Sequence, residues 1–235
     1  MLFYFLLVLG VIAAIVFMAE RVKEGGVKAL ALKAFTSVLF VSCGAAAAAQ
    51  VMGKNHFSFS LFVILGLVFG LMGDIWLDLK WIYPKDNDIF TFSGFGAFMI
   101  GHILFIAGLL IHYADFSKLM YLILPVVIAA VIAVGIILLE KPMKMQYGKF
   151  RTITACYAFI LALMTLLSGS LALMNSFKVI TLDVMFIGGV FFLISDLILS
   201  GTYFGVGKNR PVDVITNHAS YYIAQFLIAT SILFI

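Results

Sequence analysis

Eight apolar runs of about 20 residues, separated by short charged or turn-forming breaks, leave this sequence few folds to choose from. A helix rising about 1.5 Å per residue needs a run of that length to cross a hydrocarbon core of roughly 30 Å. Inside lipid each backbone N–H and C=O must be satisfied within the protein, which only helices and closed barrels achieve. The runs are continuous rather than alternating, so the expectation is an all-α, polytopic membrane bundle of eight transmembrane helices. The spans fall at about 2–19, 28–51, 57–79, 89–112, 119–139, 152–174, 179–204 and 214–234.

Composition agrees. Hydrophobic residues make up 64% of the 235 residues and charged residues 11%, too little polarity to cover a water-facing surface. No break is long enough for a separate soluble domain, so residues 1–235 are read as one integral membrane domain. The opening Met1-Leu2-Phe3-Tyr4-Phe5 has no basic n-region, and the first run is expected to be a retained span rather than a signal peptide. The net charge of +4 comes from basic residues in the breaks, a membrane-orientation pattern that argues against a nucleic-acid partner. Cys43 and Cys156 both fall inside apolar spans, with no spacing for a disulfide framework or metal finger, and read as small packing residues.

Orientation follows from Lys and Arg. The breaks after spans 1, 3, 5 and 7, with adjoining helix ends, hold Arg21, Lys23, Lys28, Lys33, Lys80, Lys85, Lys141, Lys144, Lys149, Arg151, Lys208 and Arg210, or 12 of the 15. The other breaks hold Lys54, Lys118 and Lys178. The first set is expected on the cytoplasmic side, with both termini on the non-cytoplasmic side. Small residues mark expected close helix contacts: Ala45 to Ala49 in span 2, Gly66, Gly70 and Gly73 in span 3, and Gly188-Gly189 in span 7. A faint echo links Gly-Leu-Met-Gly-Asp74 with Phe-Leu-Ile-Ser-Asp196, four helices later; a parallel duplication would bring the two aspartates together.

Polar residues inside apolar spans are the candidates for chemistry. Asp183 and Asp213 begin spans 7 and 8, where a negative charge offsets the helix dipole, and need no further role. Asp74 and Asp196 lie deeper, roughly 8 and 12 Å from the cytoplasmic end of their spans. Ionisable groups at such depth usually face a cavity or a partner. Lys33, Tyr157, Asn217 and His218 fall at the same level, so five helices contribute to one polar layer. Lys33 could instead snorkel and His218 satisfy a carbonyl, but five such coincidences favour a shared site. Asp78 stands one turn from Asp74 on the same face, with β-carbons about 5–6 Å apart. Two carboxyls so close resist ionising together, and a protonated acid beside a carboxylate is what general acid–base chemistry requires. Asp78 could equally reach the interface. His102, near the centre of span 4, could orient a carboxylate, touch a substrate or join an interhelical hydrogen bond, and a lone His is more often structural. No His-x-x-x-His or Cys-x-x-Cys spacing supports a metal site, so none is expected.

At these residues the sequence resembles the lysoplasmalogenase family, also called YhhN-like membrane proteins. Gly66-Leu-Val-Phe-Gly-Leu-Met-Gly73-Asp74-Ile-Trp-Leu-Asp78-Leu resembles its Gly-Asp-x-x-Leu span, and Gly96-Ala97-Phe98-Met-Ile-Gly101-His102-Ile-Leu-Phe105 the helix that follows. Gly189-Val-Phe-Phe-Leu-Ile-Ser195-Asp196 is similar to its seventh helix and Tyr221-Tyr222-Ile-Ala-Gln225 to its terminal segment. Lys33 sits at the family's Lys-Pro step, although Ala34 replaces the Pro and Phe105 stands where a Tyr is common. The resemblance runs in order over almost the whole chain. It implies hydrolysis of the vinyl ether bond of lysoplasmalogens to a fatty aldehyde and glycerophosphocholine or glycerophosphoethanolamine, without a cofactor. For that reaction Asp74 is expected to be the main acid–base residue and Asp196 its partner. Asp78, His102 and Asn217 would orient them, and Lys33 would meet the substrate phosphate. Tyr157, Ser195, His218, Tyr221 and Gln225 complete the expected binding set. The partners would be a lysophospholipid and bilayer lipids.

Three functions fit such a layer: this hydrolase, a proton-coupled transporter of a small molecule or lipid, and a non-catalytic lipid-binding protein. Compact loops and the absence of a targeting signal point to a bacterial inner membrane.

Overall fold

A computed structural model describes residues 1–205 and 210–235. Lys208, one of the basic residues used for orientation, lies outside the described residues. Among the described residues the chain forms eight α-helices and no strand: α1 Leu2–Lys23, α2 Gly26–Gln50, α3 Phe57–Ile82, α4 Asn87–Tyr113, α5 Met120–Leu138, α6 Arg151–Met174, α7 Ile180–Phe204 and α8 Pro211–Ser231. Each coincides with one of the eight apolar runs. Seven are long and apolar enough to cross a membrane, which makes this a polytopic membrane protein; α8 is too polar to be counted with them. The reason is its position. It packs against α1, α2, α3 and α7, so Asn217, Ser220, Tyr221, Tyr222 and Gln225 are buried in protein rather than offered to lipid. Asp183 and Asp213 do occupy the first turns of α7 and α8, and Asp213 caps α8 through the Arg210 amide.

Helices adjacent in sequence pack against each other from α1 to α4 and from α5 to α8, and α4 meets α6. Helix α5 leans on α6 at the periphery, burying only Pro125, Ala129 and Ala133. Pro125 has no N–H for the carbonyl of Tyr121, four residues earlier, and the Ser170 hydroxyl of α6 donates to that oxygen at 2.7 Å. The helix therefore continues through its proline. After α5 the chain folds back across the end of the bundle. Glu140 accepts from the Tyr147 amide at 3.0 Å, and the Gln146 amide donates to the Phe204 carbonyl at 2.8 Å. This pins Met145 and Tyr147, both buried, against the end of α7.

Close backbone approaches fall at the small residues. Gly66 of α3 and Gly101 of α4 face each other so tightly that a β-carbon on either would stand 2.9 Å from the other's carbonyl oxygen. Gly101→Val should push these helices apart and cost about 2–4 kcal/mol, read as a lowered melting temperature in detergent micelles. An unchanged melting temperature would contradict this packing. Cys43 is buried as expected, but Cys156 is exposed on the outer surface, because its side of α6 faces away from the bundle.

Candidate active site

The polar residues of five helices converge on a cavity of about 800 Å³. It occupies the half of the bundle nearest the ends of α1, α3, α5 and α7, called here the basic end. The opposite half is filled by side chains such as Phe59, Val63, Leu109, Leu171, Leu182 and Ile228, all fully buried.

Helix α3 brings Asp74 and Asp78 to the cavity on one face, a turn apart, with exposures of only 2% and 4%. Helix α2 sets Lys33 opposite them, with Nζ 3.2 Å from an oxygen of each carboxylate. Lys33 is itself buried, so it does not snorkel to the interface. The other oxygen of Asp74 accepts from the Ser37 hydroxyl and the Tyr221 hydroxyl, each at 2.6 Å. Gln225 Nε2 donates to that tyrosine oxygen at 2.9 Å and fixes its direction. A glycine at position 70 makes this reach feasible, since a β-carbon there would lie 2.7 Å from Gln225 Nε2. Asp78 also pairs with the guanidinium of Arg21, from the last turn of α1. Two cations thus balance two carboxylates, an arrangement that tolerates burial because every charge is both paired and hydrogen-bonded.

Asp196 stands apart from these cations. It enters the cavity from α7 and accepts a hydrogen bond from the Tyr157 hydroxyl of α6. Among the described residues no Lys or Arg lies within ion-pair distance of it. Beside it, Asn217 Nδ2 donates to the Ser195 carbonyl at 2.7 Å and to Ser195 Oγ at 3.0 Å, tying α8 to α7. His218 lines the cavity with Nδ1 donating to the Val214 carbonyl at 2.8 Å, so the ring nitrogen left over is Nε2.

Of the eleven residues singled out in the sequence, Lys33, Asp74, Asp78, Tyr157, Ser195, Asp196, Asn217, His218 and Tyr221 all line this cavity. Gln225 touches it through Tyr221. His102 does not line it. Its ring is 1% exposed, stacks edge-on to Phe192 at 4.6 Å, and neither nitrogen has a hydrogen-bond partner. The orienting role expected of His102 finds no carboxylate within reach, because its face of α4 turns toward the aromatic packing. Two contributors were not anticipated. Arg21 reads from its position as an orientation charge, and Ser37 follows Lys33 by one helical turn. Lys80, also counted as an orientation charge, is buried over the ring of Tyr203, with Nζ 2.9 Å from its centroid. Among the described residues no group of three or more His, Cys, Asp or Glu is placed to hold a metal ion.

The model of the YhhN family fits residues 28–232. No curated protein and no solved structure matches the chain.

Proposed function

The chain belongs to the YhhN family, and on that premise we propose that it is a membrane hydrolase that cleaves the vinyl ether bond of lysoplasmalogens. The observation that carries the reading is that Asp74 and Asp196, in different hydrogen-bond environments, open into one largely apolar cavity. Ser37, Tyr221 and Lys33 all donate to Asp74, which suits a carboxylate. Asp196, without a cation and with one hydroxyl donor, suits the group that carries a proton. Paired acids held in unlike surroundings are the arrangement glycosidases use for a related cation.

The reaction divides between them. Asp196 gives its proton to the β-carbon of the vinyl ether, and the π electrons form that C–H bond. The positive charge left on the α-carbon is shared with the ether oxygen as an oxocarbenium ion. The Asp74 carboxylate stabilises that cation and takes a proton from the water that attacks it, giving a hemiacetal. In the collapse Asp74 gives the water's proton to the departing glycerol oxygen as the C–O bond breaks, Asp196 regains a proton from the hemiacetal hydroxyl, and a fatty aldehyde is left. Asn217 and Ser195 hold the backbone next to Asp196, while Tyr221 and Gln225 hold Asp74. No cofactor enters these steps.

In this reading α8 crosses the membrane with the others, since its 21 residues span about 31 Å. The basic end then lies in the cytoplasm and both termini on the far side, in a bacterial inner membrane. A cavity confined to one half of the bundle fits a reaction chamber better than a transport path, which needs access to both sides. The test is direct. Purified protein in micelles should release aldehyde from a lysoplasmalogen and none from the saturated alkyl ether of the same chain. A well-folded protein that releases none from either would sink the reading.

A further inference from the structure

Two cations at the polar end of the cavity have no step of their own in the two-carboxylate chemistry. Arg21 and Lys33 both line it. Arg21, in the last turn of α1, lies outside the residues matched by the family model. Its guanidinium is turned inward to Asp78, and its Nε is buried without any hydrogen-bond partner. A guanidinium carries five N–H donors in a planar fork suited to two oxygens of one anion, and here part of that fork is unused. Lys33 Nζ sits between Asp74 and Asp78 as the second cation. The Glu24, Gly25 and Gly26 turn beside them lines the same rim, and both glycines have positive φ (65° and 70°). No side chain there caps the first amides of α2.

From this arrangement we propose that Arg21 and Lys33 form a phosphate subsite, taking the phosphodiester of a lysophospholipid headgroup while Asp78 holds the two cations in place in its absence. The identity of the chain beyond the phosphate rests on the hydrolase reading. The cavity's apolar lining agrees with that polarity: Ile132 and Ile136 of α5 and Leu193 and Leu197 of α7 belong to it, and Leu197 is also exposed on the outer surface. A lipid phosphate bound at Arg21 thus shares one cavity with Asp74, Asp196 and an apolar lining that reaches the outer surface at Leu197. An incoming phosphate adds a negative charge beside Asp78, so Asp78 competes with it for the same two cations.

That competition gives the test its sign. The probe is a lysophosphatidylcholine with a saturated alkyl ether chain, which offers no bond to cleave, and binding is followed by tryptophan fluorescence because Trp81 lines the cavity. Wild type should bind it about tenfold more tightly than the fatty alcohol of equal chain length. Arg21→Gln should weaken the lysolipid by about tenfold and leave the alcohol unchanged, which also shows the cavity intact. Asp78→Asn should tighten the lysolipid by a few-fold, about threefold, by removing the competing carboxylate. Unchanged lysolipid affinity in Arg21→Gln would overturn the subsite. So would weakening in Asp78→Asn, the mark of a purely structural bridge. Inorganic phosphate binding as tightly as the lysolipid would remove the lipid from the assignment. Because the probe is not cleaved, a protein that binds in this pattern but releases no aldehyde keeps the subsite and loses the hydrolase reading.

Discussion

Asp74→Asn should lower aldehyde release by about a thousandfold while leaving the protein folded. Asparagine has nearly the same shape, so Gly73 and the rest of the α3–α4 contact are undisturbed. Lys33 retains Asp78 at 3.2 Å, and no buried cation is left alone. The loss falls on the chemistry. A neutral amide cannot take a proton from water, and it offers an oxocarbenium ion far less stabilisation than a carboxylate inside a site of low dielectric. Substrate binding should change little, so the effect belongs in kcat rather than KM. A variant that melts like wild type yet turns over within a few-fold of it would remove Asp74 from the mechanism.

Asp196→Asn should be almost as damaging, by about a hundredfold or more, for a different reason. Carbon protonation needs an acid aimed at the β-carbon, and an amide is far too weak an acid to serve. Tyr157→Phe separates the proton from its surroundings. It removes the one hydroxyl that donates to Asp196 but leaves the acid, so it should cost about tenfold. A Tyr157→Phe defect as deep as Asp196→Asn would mean that tyrosine, rather than Asp196, delivers the proton. Both variants are read by initial rates of aldehyde release at saturating lysoplasmalogen.

Most of the helical framework was legible because lipid sets it: a run of apolar residues long enough to span must be a helix, and charges mark its ends. The interior was legible by depth but not by direction. Asp74, Asp78, Lys33, Tyr157 and Asn217 declared themselves by being polar at one level of apolar spans. His102 looked equivalent by the same measure, yet its side chain turns to Phe192, since depth along a helix says nothing about which neighbour a face meets. Arg21 was hidden for the opposite reason. A basic residue at a helix end is an orientation charge in most membrane proteins, and its partner Asp78 lies 57 positions away. Ser37 had a readable signal, one turn from Lys33, and needed only that Lys33 be taken as buried. Helix α8 falls short of the hydropathy of the other seven because Asn217, Ser220, Tyr221, Tyr222 and Gln225 are buried against neighbouring helices.

Hydration of a vinyl ether by Asp196 and Asp74 through protonation at carbon is tested by turnover of a lysoplasmalogen in D2O. Wild type should release a fatty aldehyde carrying one deuteron on the carbon next to the carbonyl, and Asp74→Asn and Asp196→Asn almost none. Aldehyde formed without that deuteron, or formed equally well by folded Asp74→Asn, would contradict it.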